Sequence, residues 1–227
     1  MKKILFIAGL LVFFTACKNE KNTAPETEGD EPEMIEEDEV DVVPNLTDID
    51  FDAALDAFRK KEYEAASRYI TIAVEDLKKE GATTTDAKLN KQLKAATDNL
   101  QALAEKVKRG KVASEEELQE LFAHVDMMMA HDYLLLTQVY VVETPEKVKG
   151  AFQEAASRME KATQKLKGEA KAESAKILGA IKTDLGKSDI KANEIGNAAG
   201  KRAEEMAGWI KMHAEKLGIK EPEHSDF

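Results

Sequence analysis

The chain has 227 residues, 33 Lys and Arg against 44 Asp and Glu, 6% aromatics and one cysteine. One cysteine excludes an internal disulfide framework and a multi-cysteine zinc site, so stability must come from packing. The charge is uneven: residues 18–52 hold 14 acids against Lys18 and Lys21, whereas residues 53–227 hold 29 basic and 30 acidic residues. A body with no basic excess argues against a nucleic-acid surface.

The first element is a leader. Lys2 and Lys3 precede an unbroken apolar run, Ile4 to Phe14. At about 1.5 Å per residue it spans about 16 Å as a helix, half of a bilayer core. Two positive charges, a short apolar stretch and the small residues Thr15 and Ala16 have the layout of a secretory signal peptide. The stretch ends in FTAC, with Cys17 as its last residue. This resembles the lipobox of bacterial lipoproteins, with Phe14 at the position usually held by leucine. The resemblance implies that residues 1–16 are removed, that Cys17 becomes the first mature residue, and that it carries a diacylglycerol on sulfur and an acyl chain such as palmitate on its amine. Several acyl chains hold a protein stably on a membrane, where one alone is marginal. Lys18, standing where an aspartate would favour inner-membrane retention, implies the outer membrane.

Residues 17–46 follow as the lipidated cysteine and an acidic linker. Three prolines, one glycine and a dense run of like charge predict a disordered, extended tether. From residue 47 to 218 the sequence predicts a helical bundle, and residues 219–227 a disordered tail. From residue 53 on the only prolines are Pro145 and Pro222, and no run of alternating apolar and polar residues marks a strand.

Thr47 and Asp50 stand at capping-box spacing before a first helix carrying Leu55 and Phe58. Tyr63, Ala66, Ile70, Ala73, Val74 and Leu77 line a second, ended by Gly81. Leu89, Leu93, Ala96, Leu100, Leu103 and Val107 recur at the four–three spacing of a coiled-coil seam in a third, ended by Gly110. Ser114 and Glu117 read as a capping box for the fourth, with Leu118, Leu121, Phe122, Val125, Met129, Leu136 and Val139 along it. Thr144-Pro145 reads as the N-cap and first position of the fifth, whose stripe is Val148, Phe152, Ala155, Met159, Ala162 and Leu166. Ile177, Leu178, Ile181 and Leu185 precede a break at Gly186. Ile195, Met206, Trp209, Ile210 and Leu217 mark a last helix, expected to pack on the bundle rather than lie on lipid. The fold class is therefore all-α: an antiparallel bundle of about six or seven helices built from helical hairpins. The segment EAASR occurs twice, at 64–68 and 154–158, each time in the expected second helix of a hairpin, and is loosely similar to tetratricopeptide hairpins without their array.

Two features carry candidate chemistry. In FAHVDMMMAHDYLLL, His124, Met127, Met128 and His131 fall within an arc of about 100°. Imidazole and thioether together suit copper or haem iron, so His124, Met128 and His131 are the candidate metal or haem ligands. Asp132, placed near the centre of the apolar stripe, is expected to be a buried carboxylate needing a partner. No phosphate loop, dinucleotide fingerprint, metalloprotease motif or nucleophile context is present. The expectation is a non-enzymatic lipoprotein of the cell envelope, on the membrane through its lipid and binding or scaffolding an unidentified envelope protein. The alternatives are a metal- or haem-binding bundle and a carrier of apolar ligands.

Overall fold

The computed structural model describes residues 46–81, 87–187 and 190–219. The chain divides into two units between Asp38 and Glu39, and all described residues belong to the second. The expected signal peptide, Cys17, residues 18–45 of the expected tether and the tail beyond Ile219 lie outside the described residues.

Among the described residues there are seven α-helices and no strand. They are α1 (Leu46–Arg59), α2 (Tyr63–Gly81), α3 (Ala87–Lys108), α4 (Glu115–Glu143), α5 (Val148–Lys165), α6 (Gly168–Leu185) and α7 (Ala192–Leu217). Successive helices pack as antiparallel hairpins, and α7 returns to pack on α4, so that α4 to α7 close a four-helix bundle. α1 and α3 lie against the N-terminal part of α4, and α2 packs between them.

Three side-chain pairings fix the register around α4. The rings of Phe51 and Phe122 stack at 4.1 Å, and Arg59 Nη2 lies 2.6 Å from Glu115 Oε1, so α1 runs antiparallel to α4. Lys165 reaches Asp126, and the Arg158 guanidinium lies 5.2 Å from the centre of the Tyr133 ring, which sets α5. α7 is set by Gly196 against Val141, Gly200 against Gln138 and His213 against His124. Gly196 allows the closest approach: a Cβ there would stand 2.3 Å from Val141 Cγ2.

The helix ends follow backbone rules. At the ends of α1, α3 and α7, Lys61, Gly110 and Gly218 adopt φ of +61°, +62° and +67°. Each makes the paired hydrogen bonds of a Schellman cap; in α1, Lys61 N–H donates to Phe58 O and Glu62 N–H to Ala57 O. Two of these three positions are glycine, the residue that enters the left-handed region without penalty, and the third is not.

Other helix starts differ from the spacing rules. α1 begins at Leu46, so Thr47 is buried inside the first turn and is not its N-cap. Ser114 is the N-cap residue of α4 but makes no side-chain cap hydrogen bond; Glu117 Oε2 instead accepts from the Ala113 amide at 3.4 Å. Pro145 opens a 3₁₀ turn, Pro145–Lys147, and α5 proper starts at Val148. The expected stripes of α2 and α5 are buried almost throughout, as are Leu93, Ala96, Leu100, Leu103 and Val107 of α3 and Trp209 and Ile210 of α7; the Leu89 side chain lies outside the described residues. Along α4 the stripe fails past Ala130: Leu136 is half-buried and Val139 exposed. The EAASR copies both lie in second helices of hairpins, yet Arg158 is buried while Arg68 is exposed.

Candidate functional site

The chemistry concentrates on α4. All ten residues from Leu121 to Ala130 are buried, including His124, Asp126 and three methionines. A helix enclosed on every side has no polar face, so its polar residues need partners from neighbouring helices. His124 and Asp126 are two residues apart, about 200° around the helix, and so face opposite neighbours.

On the α5 side, Asp126 joins an ion cluster. Lys165 Nζ donates to Asp126 Oδ2 at 2.9 Å and to Asp48 Oδ1 of α1. Lys161 Nζ, nearer solvent, lies 3.1 Å from Asp48 Oδ2. Two lysines and two aspartates balance in charge. Burial raises the Asp48 carboxyl, but hydrogen bonds from Lys165 and Lys161 outweigh it and hold the group below its ordinary value. Burial likewise opposes the charge of Lys165, and the two aspartates more than restore it. Asp126 is the strained member. Burial pushes it up to about 6 against the pull of Lys165, and its Oδ1 lacks a hydrogen-bond partner. With Asp126 wholly withdrawn from solvent, the cluster acts as a polar cross-link of α1, α4 and α5 rather than as a substrate-facing acid.

On the α7 side, His124 meets His213. They are 2% and 5% exposed, their ring centres are 5.8 Å apart, and Trp209 stacks on His213 at 4.4 Å. Neither Nδ1 has a hydrogen-bond partner. Burial, with His213 adding, pushes His124 down to about 3; burial, with Lys216 adding, pushes His213 to about 4. Both imidazoles are therefore neutral at pH 7 and keep a lone pair available to a metal. Among the described residues, no three His, Cys, Asp or Glu side chains gather as a metal-binding group.

His124 and Met128 are buried and His131 half-buried. The two histidines stand seven positions apart, about 10 Å of helical rise, whereas histidines sharing one ion on a single helix stand four apart. The structure instead pairs His124 with His213, 89 positions along the chain.

Asp132 is half-buried, so the expectation of a buried carboxylate there is corrected; the buried acid of α4 is Asp126. The stripe that placed Asp132 inside assumes a helix with one covered face. α4 is covered all round at Asp126 and opens beyond Ala130, so the stripe points the wrong way at both positions. The signal for Asp126 is its setting, AHVDMMMA, a lone acid in apolar sequence.

No family model matches the chain, and no curated protein and no solved structure is significantly similar to it.

Proposed function

We propose that this chain is a bacterial lipoprotein that holds a non-enzymatic helical module in the cell envelope, for binding or scaffolding an envelope protein. The observation that carries the reading is Cys17 at the end of FTAC, after two lysines and an apolar run too short to span a bilayer. The helical body fits the reading. The buried charges of Asp48, Asp126 and Lys165 are consumed in a cross-link between helices, and residues 53–227 have no basic excess to recruit nucleic acid. Among the described residues no helix is long and apolar enough to cross a membrane. Lys18 after the cysteine favours the outer membrane. Intact-mass measurement of the protein from its host tests the anchor: the mature chain starts at Cys17 with the added mass of a diacylglycerol and one acyl chain. Crosslinking in intact cells tests the scaffold role by recovering one envelope protein reproducibly.

A second reading is metal or haem binding in the bundle. The orphaned Nδ1 atoms of His124 and His213 favour it, with Met128, one turn from His124 on the same helix, as a further donor. Metal analysis and absorption spectra of the purified protein, compared with His124→Ala and His213→Ala, decide it. A bound metal or haem lost in both variants supports it, and unchanged spectra remove it.

A further inference from the structure

The seam between α4 and α7 holds a set of neutral donors. His124 and His213 face each other with 5.8 Å between ring centres, and both Nδ1 atoms are buried without a hydrogen-bond partner. Met128, one turn along α4 from His124, is 1% exposed. α7 runs antiparallel to α4, with Gly200 at Gln138 and His213 at His124, which brings Met128 level with Trp209. The Trp209 indole stacks on His213 at 4.4 Å. Asp126, the buried acid of α4, faces the other way, towards Lys165. The charged or polar neighbours acting on the two imidazoles are His213 on His124 and the Lys216 ammonium on His213, with no carboxylate among them.

We propose that this seam is a copper(I) site, with His124 and His213 as nitrogen ligands and Met128 as a thioether ligand. The inference rests on the metal-binding reading and names its ion. Ligand number is the first reason. Zinc, magnesium and similar divalent ions take about four to six ligands, whereas copper(I), with its filled d shell, is satisfied by two or three. Among the described residues no third His, Cys, Asp or Glu joins the pair.

Charge is the second reason. All three donors are neutral, so the full charge of the ion stays in a dry interior. The cost of burying an ion rises with the square of its charge, so a monovalent ion bears about a quarter of the cost of a divalent one. Softness is the third, because thioether sulfur selects copper(I) over harder ions. The spacing is within reach: two imidazoles sharing one ion through bonds of about 2 Å put their ring centres no more than about 6 Å apart. A haem would have to pass its macrocycle between the same two rings. Every residue of α4 from Leu121 to Ala130 is buried there, and Trp209 already covers His213.

Anaerobic titration of the full chain with copper(I) tests it, in a Cys17→Ser background so that no thiol competes. Bicinchoninate reports the copper left free, and the emission of Trp209, the only tryptophan of the chain, reports the site. One copper(I) per chain is expected to be withheld from the chelator, with quenching of the emission. His124→Gln and His213→Gln are each expected to lose both signals while keeping the helical circular dichroism of the parent. Met128→Leu, close in volume, is expected to weaken retention by about tenfold or more. Copper(I) retained undiminished in either histidine variant overturns the site. Retention of zinc or haem with all copper(I) left to the chelator overturns the choice of ion and leaves the metal-binding reading standing. Retention of none of the three overturns both.

Discussion

Lys165 Nζ lies 2.9 Å from Asp126 Oδ2, and both side chains are withdrawn from solvent, with Asp48 on the other side of the ammonium. The cluster joins residues 117 and 39 positions apart in sequence. Its members depend on one another, because removing one charge strands the rest in a low-dielectric interior. Lys165→Met is therefore expected to cost about 3–5 kcal/mol at pH 7.5. The deficit should shrink at pH 5, where Asp126 is protonated and no longer needs the ammonium. Urea unfolding at the two pH values checks this; a cost below about 1 kcal/mol at pH 7.5 would mean that the cluster does not hold the helices.

The two buried histidines give the fold a pH dependence with a definite sign. Their folded-state values, about 3 and about 4, lie below the ordinary 6.5. The unfolded chain therefore binds more protons below pH 6.5. Their contribution is fully present above that pH and is lost as pH falls towards 4, by up to about 1.4 kcal/mol per pH unit for each imidazole. Asp126 acts in the opposite sense. Its folded value of about 6 exceeds the ordinary 3.8, so acidification through that window favours the fold. The difference between the native chain and the His124→Gln, His213→Gln double variant isolates the imidazoles. That difference is expected to move steadily against the native chain from pH 6.5 to 4.5.

Two glycines of α7 separate helix packing from helix propensity. A Cβ at Gly196 would press on Val141, a residue stiff about χ1, whereas at Gly208 nothing lies within 4 Å. Gly208→Ala is expected to stabilise by about 0.5–1 kcal/mol. Gly196→Ala is expected to destabilise by about 1–3 kcal/mol despite the same propensity gain, with part of the loss returned by adding Val141→Ala. Thermal unfolding of the three variants reads both signs.

Lys61 pays a backbone penalty at the end of α1, where α3 and α7 use glycine. Lys61→Gly is expected to raise stability by about 1 kcal/mol, because the left-handed conformation costs glycine nothing. A loss of stability would show that the lysine side chain contributes more than its strain.

The parts of this fold that are readable in sequence are those governed by local rules. Leu93, Ala96, Leu100, Leu103 and Val107 are all buried, as their spacing requires, because α3 covers one face only. Gly81, Gly110 and Gly186 all stand at helix ends, and at Gly110 the left-handed backbone depends on the residue itself. α4 defeats the same method. Its middle is enclosed on all sides and its end is open, so no stripe describes it, and the stripe points to Asp132 where the buried acid is Asp126. The partners were illegible for a different reason. Nothing local to Asp126 points to Lys165 or Asp48, and nothing beside His124 points to His213; those pairings exist only once the helices are docked.

The central claim is attachment through Cys17, and membrane fractionation of cells fed labelled palmitate tests it most directly. The native chain is expected to sediment with membranes and carry the label, and Cys17→Ser is expected to lose both. If the two proteins sediment alike and neither takes up label, the lipoprotein account is wrong.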